Sequence, residues 1–292
     1  MGLLSNMFGT SKPVHDPEAA AARVEQIKAA LPSGTTVLLI EPSKGMALTY
    51  IVQVVADRRQ TSTMTRSVVE IASAGAERWS LSLEVYDVDD PTSTYSAITV
   101  DGAPMAKLEV ALRAHDDLYA IIPSQSIGID VMEGGFNISD VSRGQAAATA
   151  RAAIRWWEGV LQHGESGQWS ASTLSVDVGG DDLGNAEISY GATIEREVDP
   201  MGKSADGRRY VSDAEWNQRV FTAWNDNLLV LEALLRLPLP AEHEVEISFD
   251  KDKIRPRITV TGWETRAENK TAAKELVAQI GSHVPDAKIK VY

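Results

Sequence analysis

The chain contains no cysteine. Disulfides, thiolate nucleophiles, iron–sulfur clusters and cysteine zinc sites are therefore excluded, as is the covalent support common in small secreted domains. A cytoplasmic location is the expectation that follows. Long hydrophobic runs are also missing: no stretch approaches the roughly 18 to 20 apolar residues that span a bilayer. The opening MGLLSNMFG lacks a charged region followed by an apolar run and a cleavage site, so no secretion leader is expected. Basic charge is scarce as well, with 28 Lys and Arg against 41 Asp and Glu, a net charge of −13. Such a surface repels phosphate backbones and anionic headgroups, so nucleic acid is not an expected partner.

Catalytic and cofactor signatures are missing in turn. Met201, Gly202, Lys203 and Ser204 resemble the end of a phosphate-binding loop, but Glu197 stands where its first glycine belongs, with Glu195 and Asp199 beside it. The carboxylate-rich turns at 86–91, 177–185 and 249–253 lack the ligand spacing of a calcium loop, and Asp, Asn and Gly suit hairpin turns for backbone reasons. His15, His115, His163, His243 and His283 never recur at the spacing of a two-histidine metal site. His115, followed by Asp116 and Asp117, could serve as a base with an orienting carboxylate, but it is expected at a helix C-terminus, where the dipole favours a cation. No Gly-x-Ser-x-Gly elbow occurs. The expectation is no cofactor, no metal and no assignable catalytic residue.

What is present is ordinary globular material, 43% hydrophobic and 24% charged, in 292 residues, enough for one large domain or two of about 150 residues. Leu3, Leu4, Met7 and Phe8 have helical spacing, as in a weak membrane or partner anchor, and residues 1–17 are otherwise expected to form a flexible leader. An alanine-rich helix over 18–31 stops at Pro32, and strands over 35–40 and 47–56 should pair as a hairpin. A helix over 62–77 precedes a second hairpin, 81–88 with 94–100, then a helix over 105–115 and a strand over 126–131. Turn formers fill 133–144, where Ser142 and Gln145 resemble a capping box.

The order then recurs. Helix 142–162, strands 172–178 and 186–195, an irregular loop at 196–211, a helix from 213 to 236, strands 243–249 and 255–262, helix 267–281 and strand 287–292 complete the reading. Both halves read α-β-β-α-β-β-α-β, and ITVDG at 98–102 resembles ITVTG at 258–262. The expected fold is thus α+β and internally duplicated, with repeats at 18–133 and 144–292 and a linker at 134–143. Antiparallel or mixed sheets should carry helices on one face, about a pseudo-twofold axis.

Six of the seven tryptophans lie in the second half. On the helix from 213 to 236, Trp216, Val220, Phe221, Trp224, Leu228 and Leu231 cover about half the circumference, and the adjacent Trp156 and Trp157 point about 100° apart. Core packing explains such residues, and so does a surface that receives a partner, because tryptophan is enriched at binding hot spots. Trp216, Phe221, Trp224, Trp156 and Trp157 are accordingly the candidate partner-binding residues. The function expected first is a non-enzymatic cytoplasmic protein-binding protein of chaperone, adaptor or inhibitor type, holding another protein or peptide. An enzyme or small-molecule binder with a pocket between the halves, and a structural subunit of a larger assembly, are the alternatives.

Overall fold

The computed structural model describes residues 16–40, 47–75, 78–91, 94–132, 134–163, 173–178, 187–193, 222, 225, 227–236, 243–250, 255–262, 267–283 and 288–291. The chain divides into two compact units, residues 1–108 and 109–292. It is a mixed α/β protein.

Unit 1 opens with α1 (Pro17–Ala30). Asp16 caps it, its Oδ1 accepting from the backbone N–H of Glu18 at 3.0 Å and Ala19 at 3.2 Å, with Pro17 in the first turn. The helix stops because Leu31 precedes Pro32 and is held extended, at ψ 166°. Strands β1 (Thr36–Ile40) and β2 (Leu48–Ala56) pair antiparallel, as the sequence predicts. Helix α2 (Thr61–Ala72) then leads to the antiparallel hairpin β3 (Trp79–Asp87) and β4 (Tyr95–Asp101). The hairpins join by parallel pairing of β2 with β3, with Val52 opposite Leu83. The sheet order is therefore β1-β2-β3-β4.

Unit 2 is also built from helices and antiparallel hairpins. Helix α3 (Met105–Ile121) runs across the division between units, and β5 (Ser126–Asp130) pairs antiparallel with β6 (Gly135–Val141). Helix α4 (Arg143–His163) precedes the hairpin β7 (Thr173–Val178) and β8 (Glu187–Thr193). The next helix, α5, includes residues 227–234 and precedes the hairpin β9 (His243–Asp250) and β10 (Arg255–Gly262). Helix α6 (Ala267–His283) and β11 (Lys288–Val291) close the unit. The pairs β6/β7, β8/β9 and β10/β11 are parallel.

In both units every hairpin is antiparallel, and α2, α4, α5 and α6 are each a crossover to an adjacent parallel strand. Crossovers of one hand that always step in the same direction along a sheet place their helices on the same face. Burial follows that rule in unit 1. Leu48, Tyr50, Val52 and Val54 on β2, Leu81, Leu83 and Val85 on β3, and Ile98 and Val100 on β4 are buried beneath α2, which offers Met64, Val68, Val69 and Ala72. The intervening strand residues are half-buried or exposed. In unit 2 the alanines of α4, Ala146, Ala150 and Ala153, let that helix approach β6 and β7, where Phe136, Ile138, Leu174 and Val176 are buried.

Three local expectations need correction. The stretch 134–143, read as a linker from its turn formers, carries β6, because Phe136 and Ile138 supply an inward alternation. Between Ile138 and Val141 β6 spends three steps while β7 spends two, from Val176 to Val178, and Asp140 absorbs the extra residue at φ 60°. Helix α3 does not end at His115 but continues to Ile121, since Leu118 extends the buried stripe of Leu108, Ala111 and Leu112. At the start of α4 the Ser142 hydroxyl donates to Gln145 Oε1 at 3.2 Å instead of accepting from its backbone N–H, and Gln125 Nε2 donates to the same oxygen at 3.1 Å. Arg143 ties α4 to α5 by donating from Nε at 3.0 Å and Nη2 at 2.7 Å to the carbonyl of Leu235, one of the unpaired carbonyls at a helix end.

Candidate functional site

The face of the unit 1 sheet turned away from α2 forms regular rows, because opposed residues on paired strands share a face. One row runs Ile40, Thr49, Ser80, Asp101 and the next Leu38, Ile51, Ser82, Thr99. Thr36, Gln53, Glu84 and Ala97 form a third, and Val55, Tyr86 and Tyr95 a fourth. Leu38 is 55% exposed, Ile40 47% and Val55 50%, so the β1 and β2 side of the face is apolar and open.

The β3 and β4 side is polar and ordered. Thr49 Oγ1 and Ser80 Oγ lie 2.7 Å apart in a hydrogen bond. Glu84 Oε2 accepts from Gln53 Nε2 at 2.9 Å and from the Tyr86 hydroxyl at 2.7 Å. Tyr86 and Tyr95 meet with ring centroids 5.8 Å apart at 44°. The phenol of Tyr86 is pushed up to about 12, chiefly because its hydrogen bond to Glu84 stabilises the protonated form, with desolvation and the Glu84 charge acting in the same direction. An unfolded tyrosine loses its proton near pH 10, so between about pH 10 and 12 the folded state binds the extra proton and stability falls as pH rises. The Glu84→Gln variant is expected to flatten that decline and to lower the last phenolic transition in an ultraviolet titration. A last transition unchanged in the variant would show that Glu84 does not set it.

Among the described residues these rows hold no histidine, lysine or arginine; the Thr49 and Ser80 hydroxyls bond each other, and the Tyr86 hydroxyl bonds a carboxylate. Among the described residues of this face no nucleophile is paired with a base. The equivalent face of unit 2 carries Ser126, Gly128 and Asp130 on β5, Asn137 and Ser139 on β6, and Ser175 and Asp177 on β7, with Asn137 Nδ2 donating to Asp177 Oδ2 at 3.0 Å. Apart from the buried Ser126, these residues present short polar groups or none.

The residues singled out from sequence are placed as follows. Trp156 is buried, its ring edge-on to Phe136 with centroids 4.7 Å apart at 69°. Trp157 is in α4, its side chain outside the described residues, as are Trp216, Phe221, Trp224 and the anchor residues Leu3, Leu4, Met7 and Phe8. His115 is fully buried in the middle of α3, not at its end. Its Nδ1 is 3.2 Å from Asp116 Oδ1, its ring stacks on Tyr119 at 6.3 Å and 4°, and its Nε2 has no hydrogen-bond partner among the described residues. A base so enclosed does not reach a substrate. The loop at 196–211 lies outside the described residues. In the turn after β3, Asp87 Oδ1 accepts from the backbone N–H of Asp89 at 3.0 Å, a turn-forming role. Among the described residues no three His, Asp or Glu side chains come together as a metal site, and no helix is long and apolar enough to cross a membrane.

Sequence reasoning missed the open face of unit 1. The alternation of LTYIVQVVA and LSLEVYD carried the signal, but only the inward residues were put to use. Comparison with known proteins adds no assignment: no family model, curated protein or solved structure matches this chain.

Proposed function

We propose that the protein is a non-enzymatic protein-binding protein of adaptor, chaperone or inhibitor type, and that the open sheet face of unit 1 receives its partner. The observation that carries this reading is the strip of exposed Leu38, Ile40 and Val55 beside an ordered polar ladder. Apolar groups supply affinity, while Glu84, Gln53 and the tyrosine pair supply direction and keep the face wetted. The net charge of −13 favours partners with basic groups around an apolar strand or helix. Trp216, Phe221 and Trp224 stand as sequence-derived candidates for the same role. The cytoplasmic setting and the internal duplication belong to the proposal too. The duplication draws support from the order α-β-β-α-β-β-α-β, which occurs over residues 17–130 and again over 143–291 with β6 between.

Val55→Glu places a charge at one end of the strip without touching the core. Capture of partners by the immobilised full chain is expected to weaken roughly thirtyfold, the equivalent of about 2 kcal/mol at a hot spot. Thermal stability should stay within about 0.5 kcal/mol, as for an exposed site. Leu229→Glu, 66% exposed on α5, is the control. Equal capture by wild type and Val55→Glu would sink the assignment of this face.

A further inference from the structure

Among the described strands β1 has a neighbour on one side only, β2. Alternate backbone N–H and C=O groups of Thr36–Ile40 therefore point away from the sheet, and such an edge is a template for another strand. Natural edges are commonly guarded by charge, proline or a bulge. The last strand of unit 2, β11, is guarded in this way, with Lys288 and Lys290 in four residues. The five residues of β1, TVLLI, hold no charge and no proline, and their register with β2 is unbroken.

We propose that two copies of this chain join through β1, antiparallel across a twofold axis at Leu38. Antiparallel pairing of this strand with itself opposes Leu38 to Leu38, Val37 to Leu39 and Thr36 to Ile40, so no charge meets charge. Copies that each carry −13 repel over most of their surface, and a neutral strip is where close approach costs least. The exposed Leu38 and Ile40 gain apolar neighbours from the second copy on the same face. This pairing shares Leu38 and Ile40 with the face proposed above but rests on the backbone edge of β1, and sedimentation of the purified chain reads it with no foreign partner present.

Its area sets its strength. A stable interface uses about 20 to 30 residues and 800 Å² per partner, or roughly 30 to 40 Å² per residue. A five-residue edge with its immediate neighbours engages about ten residues per partner, hence roughly 300 to 400 Å². The dimer thus falls in the weak, transient class.

The absence of native cysteine makes the geometry directly testable. Directly opposed residues in an antiparallel pair have Cα atoms about 4.5 to 5.5 Å apart, within the roughly 4.4 to 6.8 Å a disulfide spans. Leu38→Cys is therefore expected to cross-link to its copy under mild oxidation at least tenfold faster than Ile40→Cys, whose Cα atoms lie about 13 Å apart along the paired strands. Sedimentation of the wild-type full chain should show a mass rising from 31.6 kDa toward twice that value with concentration. Leu38→Lys, with its folding checked by circular dichroism, should abolish the rise, and Leu229→Lys should leave it intact. A wild-type mass constant into the hundreds of micromolar overturns the proposal and leaves β1 to a foreign strand or none. So does equal cross-linking of Leu38→Cys and Ile40→Cys, or a mass rise that survives Leu38→Lys.

Discussion

Trp156→Ala is expected to lower the stability of unit 2 by about 3 to 5 kcal/mol, the usual cost of emptying a buried tryptophan site. Its ring packs edge-on to Phe136 and is flanked on α4 by Ala153, buried one turn earlier. Alanine cannot extend into the space a lost indole leaves, so the cavity stays open and the transfer and cavity penalties add. Against a total margin of roughly 5 to 15 kcal/mol for a domain, this is a large share. Trp156→Phe keeps an aromatic neighbour for Phe136 and should lose less. Denaturant unfolding of the two variants provides the measurement, followed at unit 2 by the loss of helix signal. If Trp156→Ala unfolds like wild type but captures no partner, the ring acts as a contact residue, the other reading of the tryptophan pair.

Leu83→Ala is expected to cost unit 1 about 2 to 5 kcal/mol. Leu83 is fully buried at the middle of β3, opposite Val52 on one neighbour and Ile98 on the other, both fully buried. Its neighbour in sequence, Ser82, points to the other face between Ile51 and Thr99. Ser82→Ala should change stability by no more than about 0.5 kcal/mol. The contrast between two adjacent residues tests whether only one face of the sheet is covered. Similar losses at both positions in chemical denaturation would mean that a second layer covers the face assigned here to binding.

The elements that were legible in the sequence carry strong local signals. The alanine-rich α1 lies between Asp16 and Pro32, and both hairpins of unit 1 announce themselves by alternation. The end of α3 and the strand β6 were obscured for opposite reasons. His115, Asp116 and Asp117 look like a polar terminus, yet His115 falls on the buried stripe and its neighbours face outward, so packing carries the helix on to Ile121. In β6 the inward Phe136 and Ile138 were outweighed by Gly, Asn, Ser and Asp, and the bulge at Asp140 breaks the alternation before Val141 resumes it.

By itself the sequence determined the helices and strands with strong local signals, β6 and the end of α3 excepted, the apolar face of each strand it placed, and the cysteine-dependent chemistries that are excluded. Propensity, capping and period-2 alternation are local quantities, readable within a few residues. Strand neighbours, the faces left open and the edge left unguarded were decided by tertiary structure. A pattern such as LTYIVQVVA states that one face must be buried, while Thr49, Ile51, Gln53 and Val55 on the other suit water or a covering layer equally. Uniform stepping of same-handed crossovers puts the helices on one side and leaves those residues open. Neutral TVLLI is a good strand anywhere in a sheet. Its place at the end of the order, with β2 as its one described neighbour, makes it a surface for another chain.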